Sequence, residues 1–139
     1  MFIPVTFPEG KRVDARVGRF VVQTDQPAAL GGTESAPAPF ELFLASIATC
    51  AGIYALGFCQ VRQISTEGLG LTVWVDDDPD THLPRGFRLE VTPPVGFPEK
   101  YRAALLKAVD GCKVKKTIAA LPQFQTVYTA PMEPECAVA

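Results

Sequence analysis

The stretch Pro39-Phe40-Glu41-Leu42-Phe43-Leu44-Ala45-Ser46-Ile47-Ala48-Thr49-Cys50-Ala51-Gly52-Ile53-Tyr54-Ala55-Leu56-Gly57-Phe58 decides the fold. From Leu42 to Phe58 it carries no charge. Pro39 suits the first helical position, where its missing N–H costs nothing. Glu41 falls in the first turn, where a negative charge favours the helix dipole. The stretch therefore predicts a helix over 39–60, roughly 30 Å long at about 1.5 Å per residue. Its length is borderline for a membrane span, which needs roughly 20 apolar residues. It is the one such run, and alternating, strand-like sequence flanks it. A helix apolar on all sides then fits the buried centre of a soluble fold, with no membrane partner.

Upstream of this helix, Phe2–Phe7 reads as a first strand, and Pro8-Glu9-Gly10-Lys11 as a turn. Arg12–Thr24 interleaves Val and Phe with polar residues, giving one or two strands with Gly18 at a bend or bulge. Asp25–Ala38 holds Pro27, Gly31, Gly32 and Pro37 and reads as a loop. Downstream, Leu69–Asp76 alternates as a strand. Asp77-Asp78-Pro79-Asp80 turns the chain, and Phe87–Thr92 is the returning partner. Trp74 is expected to be a sheet residue packing on a helix. A second helix opens at Phe97-Pro98-Glu99, with Tyr101, Ala104, Leu105 and Ala108 on one face, and Gly111 caps it. A short third helix covers 113–121, and Phe124–Ala130 is a last strand. The tail 131–139 is expected to be loose. Strands, a long helix, two strands, two helices and one strand make an α+β fold in a single domain, 1–139.

The chain has 139 residues, 47% of them hydrophobic and 20% charged, an ordinary globular composition that can bury a core without a disulfide staple. Its formal net charge of −2 argues against a nucleic-acid partner, which calls for a basic excess. Met1–Thr6 lacks the basic region and apolar run of a secretory signal, so the expected compartment is the reducing cytoplasm. There, cysteines tend to be catalytic, redox-sensing or merely buried. The four are Cys50, Cys59, Cys112 and Cys136. No CxxC pair is present and His82 is the only histidine, so neither a zinc site nor a cofactor is expected. His82 belongs to a solvated turn, and Asp76-Asp77-Asp78 to an acidic hairpin turn.

Cys50 lies mid-helix, where a cysteine is by default a small buried hydrophobe. Cys112 follows a glycine cap and opens a helix, with Lys113, Lys115 and Lys116 next to it. A helix N-terminus and nearby cations both lower a thiol's pKa, so local chemistry alone selects Cys112 as the reactive thiol. Cys59, nine residues beyond Cys50, lies on the opposite helix face and is structural. Cys136 is in the tail.

The segment Pro39–Cys50 resembles the P-x-E-L-L-L-A-A-L-A-x-C segment of the OsmC/Ohr family. Gly31-Gly32 resembles that family's glycine pair before the helix, and Gly111-Cys112-Lys113-Val114 its second cysteine signature. The resemblance spans roughly 19–130. It implies an intertwined homodimer with long central helices flanked by sheets. It also implies a cysteine peroxidase of organic hydroperoxides, and in some members of hydrogen peroxide. Cys50 would attack the peroxide and Cys112 would resolve the sulfenic acid as a disulfide. A dithiol such as a dihydrolipoyl protein would then reduce it. In the organic-hydroperoxide subgroup, a glutamate ten positions before the first cysteine holds an N-terminal arginine that activates the thiol. Here that position is Phe40, and Glu41 comes one place later.

Glu41 and Cys50 are nine residues apart, about 13 Å along the axis and on opposite faces. Glu41 could assist Cys50 only from a second subunit; otherwise it tunes the helix N-terminus. Arg12, Arg16 and Arg19 all lie in the strand region where the activating arginine would be sought. Besides the peroxidase, two alternatives stand. One is a non-peroxidase OsmC-like protein binding an apolar small molecule at the dimer cleft. The other is a structural dimerisation module with inert cysteines.

Overall fold

Helix α1 runs from Pro39 to Val61 and organises the computed structural model, which describes residues 1–130. Before it come three short strands, β1 (Val5–Thr6), β2 (Asp14–Val17) and β3 (Phe20–Val22), and a 3-10 turn at Ala28–Leu30. After it come β4 (Gly70–Asp77), β5 (Pro84–Thr92), a 3-10 turn at Glu99–Tyr101, α2 (Arg102–Asp110) and α3 (Lys113–Ala119). The α+β class and the order of the elements up to α3 follow the sequence expectation.

Strands β1, β2 and β3 pair antiparallel in that order, and β4 and β5 form a second antiparallel sheet. In the second sheet the pleat sorts the side chains. Leu71, Val73 and Val75 of β4, with Phe87, Leu89 and Val91 of β5, are half-buried, whereas Thr72, Trp74, Arg88 and Glu90 are exposed. The core joins this inner face to the helices. Ala51, Ala55, Phe58 and Cys59 of α1 meet Leu105 and Val109 of α2 and Cys112, with Leu71, Leu89 and Val91 packed against them. The first sheet has no comparable seat: β1–β3 makes no extensive contact with any helix of its own chain.

The loop before α1 is fixed by one carboxylate. Asp25 is 1% exposed. Its Oδ2 accepts the Thr33 N–H (3.1 Å), the Thr33 hydroxyl (2.7 Å), the Ser35 N–H (3.1 Å) and the Ser35 hydroxyl (2.8 Å), and its Oδ1 accepts the Gln26 N–H (2.8 Å). These donors hold the Asp25 carboxyl well below the usual carboxylate range, that of Thr33 first. Folding the loop this tightly needs Gly32, where any Cβ would lie 1.8 Å from the Gln26 carbonyl oxygen.

Two sequence expectations are corrected. Phe124–Ala130 is not a strand. Its alternation suits a sheet, but a strand exists only when paired, and neither sheet of the chain takes it as a neighbour. Trp74 does not pack on a helix. Its register places it on the outer face opposite Arg88, where it is 52% exposed. There its indole N–H donates to Glu90 at 2.8 Å, and the Arg88 guanidinium lies 5.8 Å from its ring centroid. The expectations for Cys136 and the tail 131–139 fall outside the described residues.

Candidate active site

Three elements converge on the two thiols. Cys50 lies midway along α1 on the side that meets α3, half-buried beside the core. Cys112 is the single residue between the C-cap of α2, Gly111, and the first turn of α3, for which it serves as N-cap. It is fully buried. A tight turn is needed here: a Cβ on Gly111 would come within 3.0 Å of the Ala108 carbonyl oxygen and 3.5 Å of the Tyr54 ring. Gly111 itself is right-handed, with φ −68°, so close approach explains this glycine and a left-handed backbone does not. Tyr54, one helical turn beyond Cys50, thus braces the turn that carries Cys112.

Cys50 and Val114 both pack against the buried cluster that contains Cys112. The neighbouring Cys112 thiol first, then the N–H groups of Val114 and Lys113 and the Lys113 charge, push the Cys50 thiol down from its ordinary value against the effect of burial. Cys112 is pushed up, first by burial and then by its bond to Cys50, despite the N–H groups of Lys115 and Val114. The sequence expectation is a lowered pKa at Cys112 from the helix N-terminus and its lysines; burial raises it instead. Cys112 is too deeply buried to profit, and the first-turn donors act on Cys50 across the interface between α1 and α3.

Glu41 stands apart from this cluster. Its Oε2 accepts the Ala38 N–H at 2.8 Å, which is half of a capping box; Ala38 has no side-chain oxygen to return the bond. Arg16 of β2 and Arg19 of the β2–β3 turn are exposed, Arg19 lying 4.9 Å from the Phe20 ring centroid. Arg12 pairs with Asp14 at 3.3 Å. None of the three has a hydrogen bond or ion pair to the thiol cluster among the described residues. Cys59 is fully buried in the core, and burial raises its pKa. No cluster of three metal-ligating side chains occurs among the described residues.

Beyond Tyr54 an open groove of about 750 Å³ runs between α1 and α2. Ile53, Gly57, Phe58, Val61, Ala104 and Ala108 line it, with Arg62 and Lys107 at its rim. Arg62 is itself stacked 3.8 Å from the Phe58 ring centroid.

Residues 32–127, which hold α1, the second sheet and both cysteines, match the model of the OsmC-like protein family. The chain belongs to the OsmC-like family. Solved structures share the fold. An OsmC-like protein from Mycoplasma pneumoniae superposes with a TM-score of 0.65 at 17% identity, covering 86% of this chain and 87% of its own. A Psychrobacter arcticus protein assigned to the osmotic stress and detoxification response gives 0.69 at 20% identity, covering 83% and 85%. The organic hydroperoxide resistance protein OsmC of Legionella pneumophila gives 0.53 at 23% identity, covering 84% and 87%. No curated protein sequence matches the chain. Within the OsmC-like fold, Asp25 was not legible as important: it reads as one more loop residue until Thr33 and Ser35 are seen to close on it.

Proposed function

We propose that this OsmC-like protein is a cysteine peroxidase of organic hydroperoxides, with Cys50 as nucleophile and Cys112 as resolving thiol. The observation that carries this reading is the packing of a partly exposed Cys50 against the buried cluster that contains Cys112, where the surroundings push the Cys50 thiol down and the Cys112 thiol up. The Cys50 thiolate attacks one oxygen of ROOH. The O–O bond breaks, Cys50 becomes a sulfenic acid, and the alkoxide leaves as ROH after taking a proton. The Cys112 sulfur then attacks the sulfenic sulfur, forming the disulfide and releasing water. An external dithiol, such as a dihydrolipoyl protein, exchanges with the disulfide and restores both thiols. The apolar walls beside Tyr54 favour alkyl over water-soluble peroxides. The name of the Legionella relative points to the same chemistry.

The working unit in this reading is a homodimer in the cytoplasm. Helix α1 is long and apolar enough to cross a membrane, yet only 28% of its most apolar stretch is buried in the protomer. Phe2, Ile3, Val5, Phe7, Phe20 and Val21 of the first sheet region are exposed as well. So large an apolar surface calls for a cover, and a second copy laid against α1 and the first sheet supplies it. The described cysteines are all free thiols, as a reducing compartment would keep them.

The test is consumption of cumene hydroperoxide with dihydrolipoamide by the wild type, Cys50→Ser and Cys112→Ser. The wild type turns over, Cys50→Ser falls to the background rate, and Cys112→Ser reacts once and stalls as a sulfenic acid. A wild type without turnover would overturn the reading. A second reading would then stand on the α1–α2 groove, as a site for an apolar small molecule.

A further inference from the structure

Resting on the reading of Cys50 and Cys112 as one redox couple, we infer that Tyr54 is a positioning residue for its closing step: the Tyr54 ring holds the turn that carries Cys112 in place for attack on a modified Cys50. Tyr54 lies four residues beyond Cys50 on α1, so the two side chains share one stripe of the helix. Cys112 is reached from the other direction, through Gly111. A Cβ on Gly111 would stand 3.5 Å from Cε1 and 3.6 Å from Cδ1 of the Tyr54 ring, and no other side chain lies nearer to that position. The ring therefore rests on the residue directly before the resolving thiol, while its own helix carries the nucleophile one turn away. Tyr54 is 39% exposed and also lines the α1–α2 groove, so the closed core of the protomer does not include it.

The polar restraints on this turn are local to it. The Gly111 N–H donates to the Ala108 carbonyl at 2.9 Å, the Cys112 N–H to the Val109 carbonyl at 3.3 Å, and the Lys116 N–H to the Cys112 carbonyl at 3.0 Å. These bonds shape the link between α2 and α3 and do not tie it to α1. The Asp110–Lys115 ion pair at 2.8 Å also joins α2 to α3, and the Asp110 side chain is 78% exposed, so solvent screens it. Toward α1, Cys112 and Val109 share a cluster with the small side chains of Ala51 and Ala55, which offer no edge to stop the turn from sliding. The planar Tyr54 ring beside Gly111 offers one. In the closing step the Cys112 sulfur bonds to the Cys50 sulfur as the S–O bond of the sulfenic acid breaks, and the oxygen leaves with the Cys112 proton as water. Such a step needs in-line approach, and a misplacement of about 1 Å can cost up to ~100-fold in rate. Tyr54 acts through Gly111 and does not itself react.

The test follows thionitrobenzoate release when dithiobis(nitrobenzoate) is added to the reduced full-length protein carrying Cys136→Ser, so that the tail thiol adds no signal. In the first phase the Cys50 thiolate displaces one thionitrobenzoate and keeps the other as a mixed disulfide. In the second, Cys112 attacks the Cys50 sulfur, the second thionitrobenzoate leaves, and the Cys50–Cys112 disulfide remains. Tyr54→Ala is expected to slow the second phase about tenfold without slowing the first. Tyr54→Phe keeps both contacting ring carbons and is expected to retain both wild-type rates. A Tyr54→Ala second phase at the wild-type rate, equal slowing of both phases, or a Tyr54→Phe second phase as slow as that of Tyr54→Ala would overturn the inference. In the wild type, NMR should show a cross-relaxation peak between the Tyr54 ring protons and the Gly111 Hα protons. Its absence would overturn the inference even if Tyr54→Ala fails to fold. A wild type with no second phase would remove the couple and this inference with it. No peroxide is involved, so a second phase without peroxide turnover would remove the peroxidase reading alone and leave the role of Tyr54 standing.

Discussion

Two thiols in contact do not ionise together, because the first thiolate disfavours the second. At Cys50 and Cys112 the order is set by solvent and by donors. Cys50 is only partly buried beside the start of α3, whereas Cys112 is sealed in the core. In the proposed peroxidase cycle, that difference assigns Cys50 the role of nucleophile and Cys112 that of resolving thiol. Asp25 is the other residue whose environment decides its work. With its carboxyl held below the usual range, the folded chain binds fewer protons there than the unfolded chain. Its stabilisation is therefore complete above about pH 4, the unfolded value, and is lost as pH falls through the lower folded value. Asp25→Asn should lower Tm by several degrees at pH 5–8. The gap to wild type should narrow below about pH 4 in thermal scans across that range. A gap independent of pH would mean that the loop depends on shape and not on the carboxylate charge.

Helix α1 was legible because everything that specifies it is local: Pro39 at the start, Glu41 in the first turn, and an uninterrupted apolar run. The structure extends it by one residue, to Val61. The hairpin of β4 and β5 was legible for the same reason, since alternation and an acidic turn sit side by side in the chain. Three features needed the third dimension. The pairing of Phe124–Ala130 depends on an edge elsewhere, and alternation does not say which edge is free. The face of Trp74 follows from its register with Arg88 and Glu90. The thiol favoured by α3 depends on which sulfur lies across its first turn, and spacing along the chain pointed to Cys112. At the element scale α1 also carries a prediction. Ile53 is 58% exposed in the protomer and lines the groove. If a second copy covers this face, Ile53→Glu buries an unpaired charge there and should weaken the dimer at least about a hundredfold, seen by sedimentation equilibrium. An unchanged association state would place the dimer contact elsewhere on the chain.

For the whole molecule, the protomer has one well-packed half and one half without a seat. Helices α1 to α3 and the second sheet enclose a core that ends at Cys112, while the first sheet and the outer face of α1 turn apolar residues to solvent. Under the proposed function, a peroxide would approach the thiol pair along a surface that a second copy helps to shape. The central claim is that Cys50 and Cys112 form one redox couple. It is tested most directly by adding one equivalent of cumene hydroperoxide to the reduced protein and mapping its thiols by mass spectrometry. The account predicts a Cys50–Cys112 disulfide formed in a single step with Cys59 unmodified, and a dimedone adduct on Cys50 when Cys112 is replaced by Ser. Recovery of both thiols free, or oxidation that begins at Cys112 and spares Cys50, would contradict it.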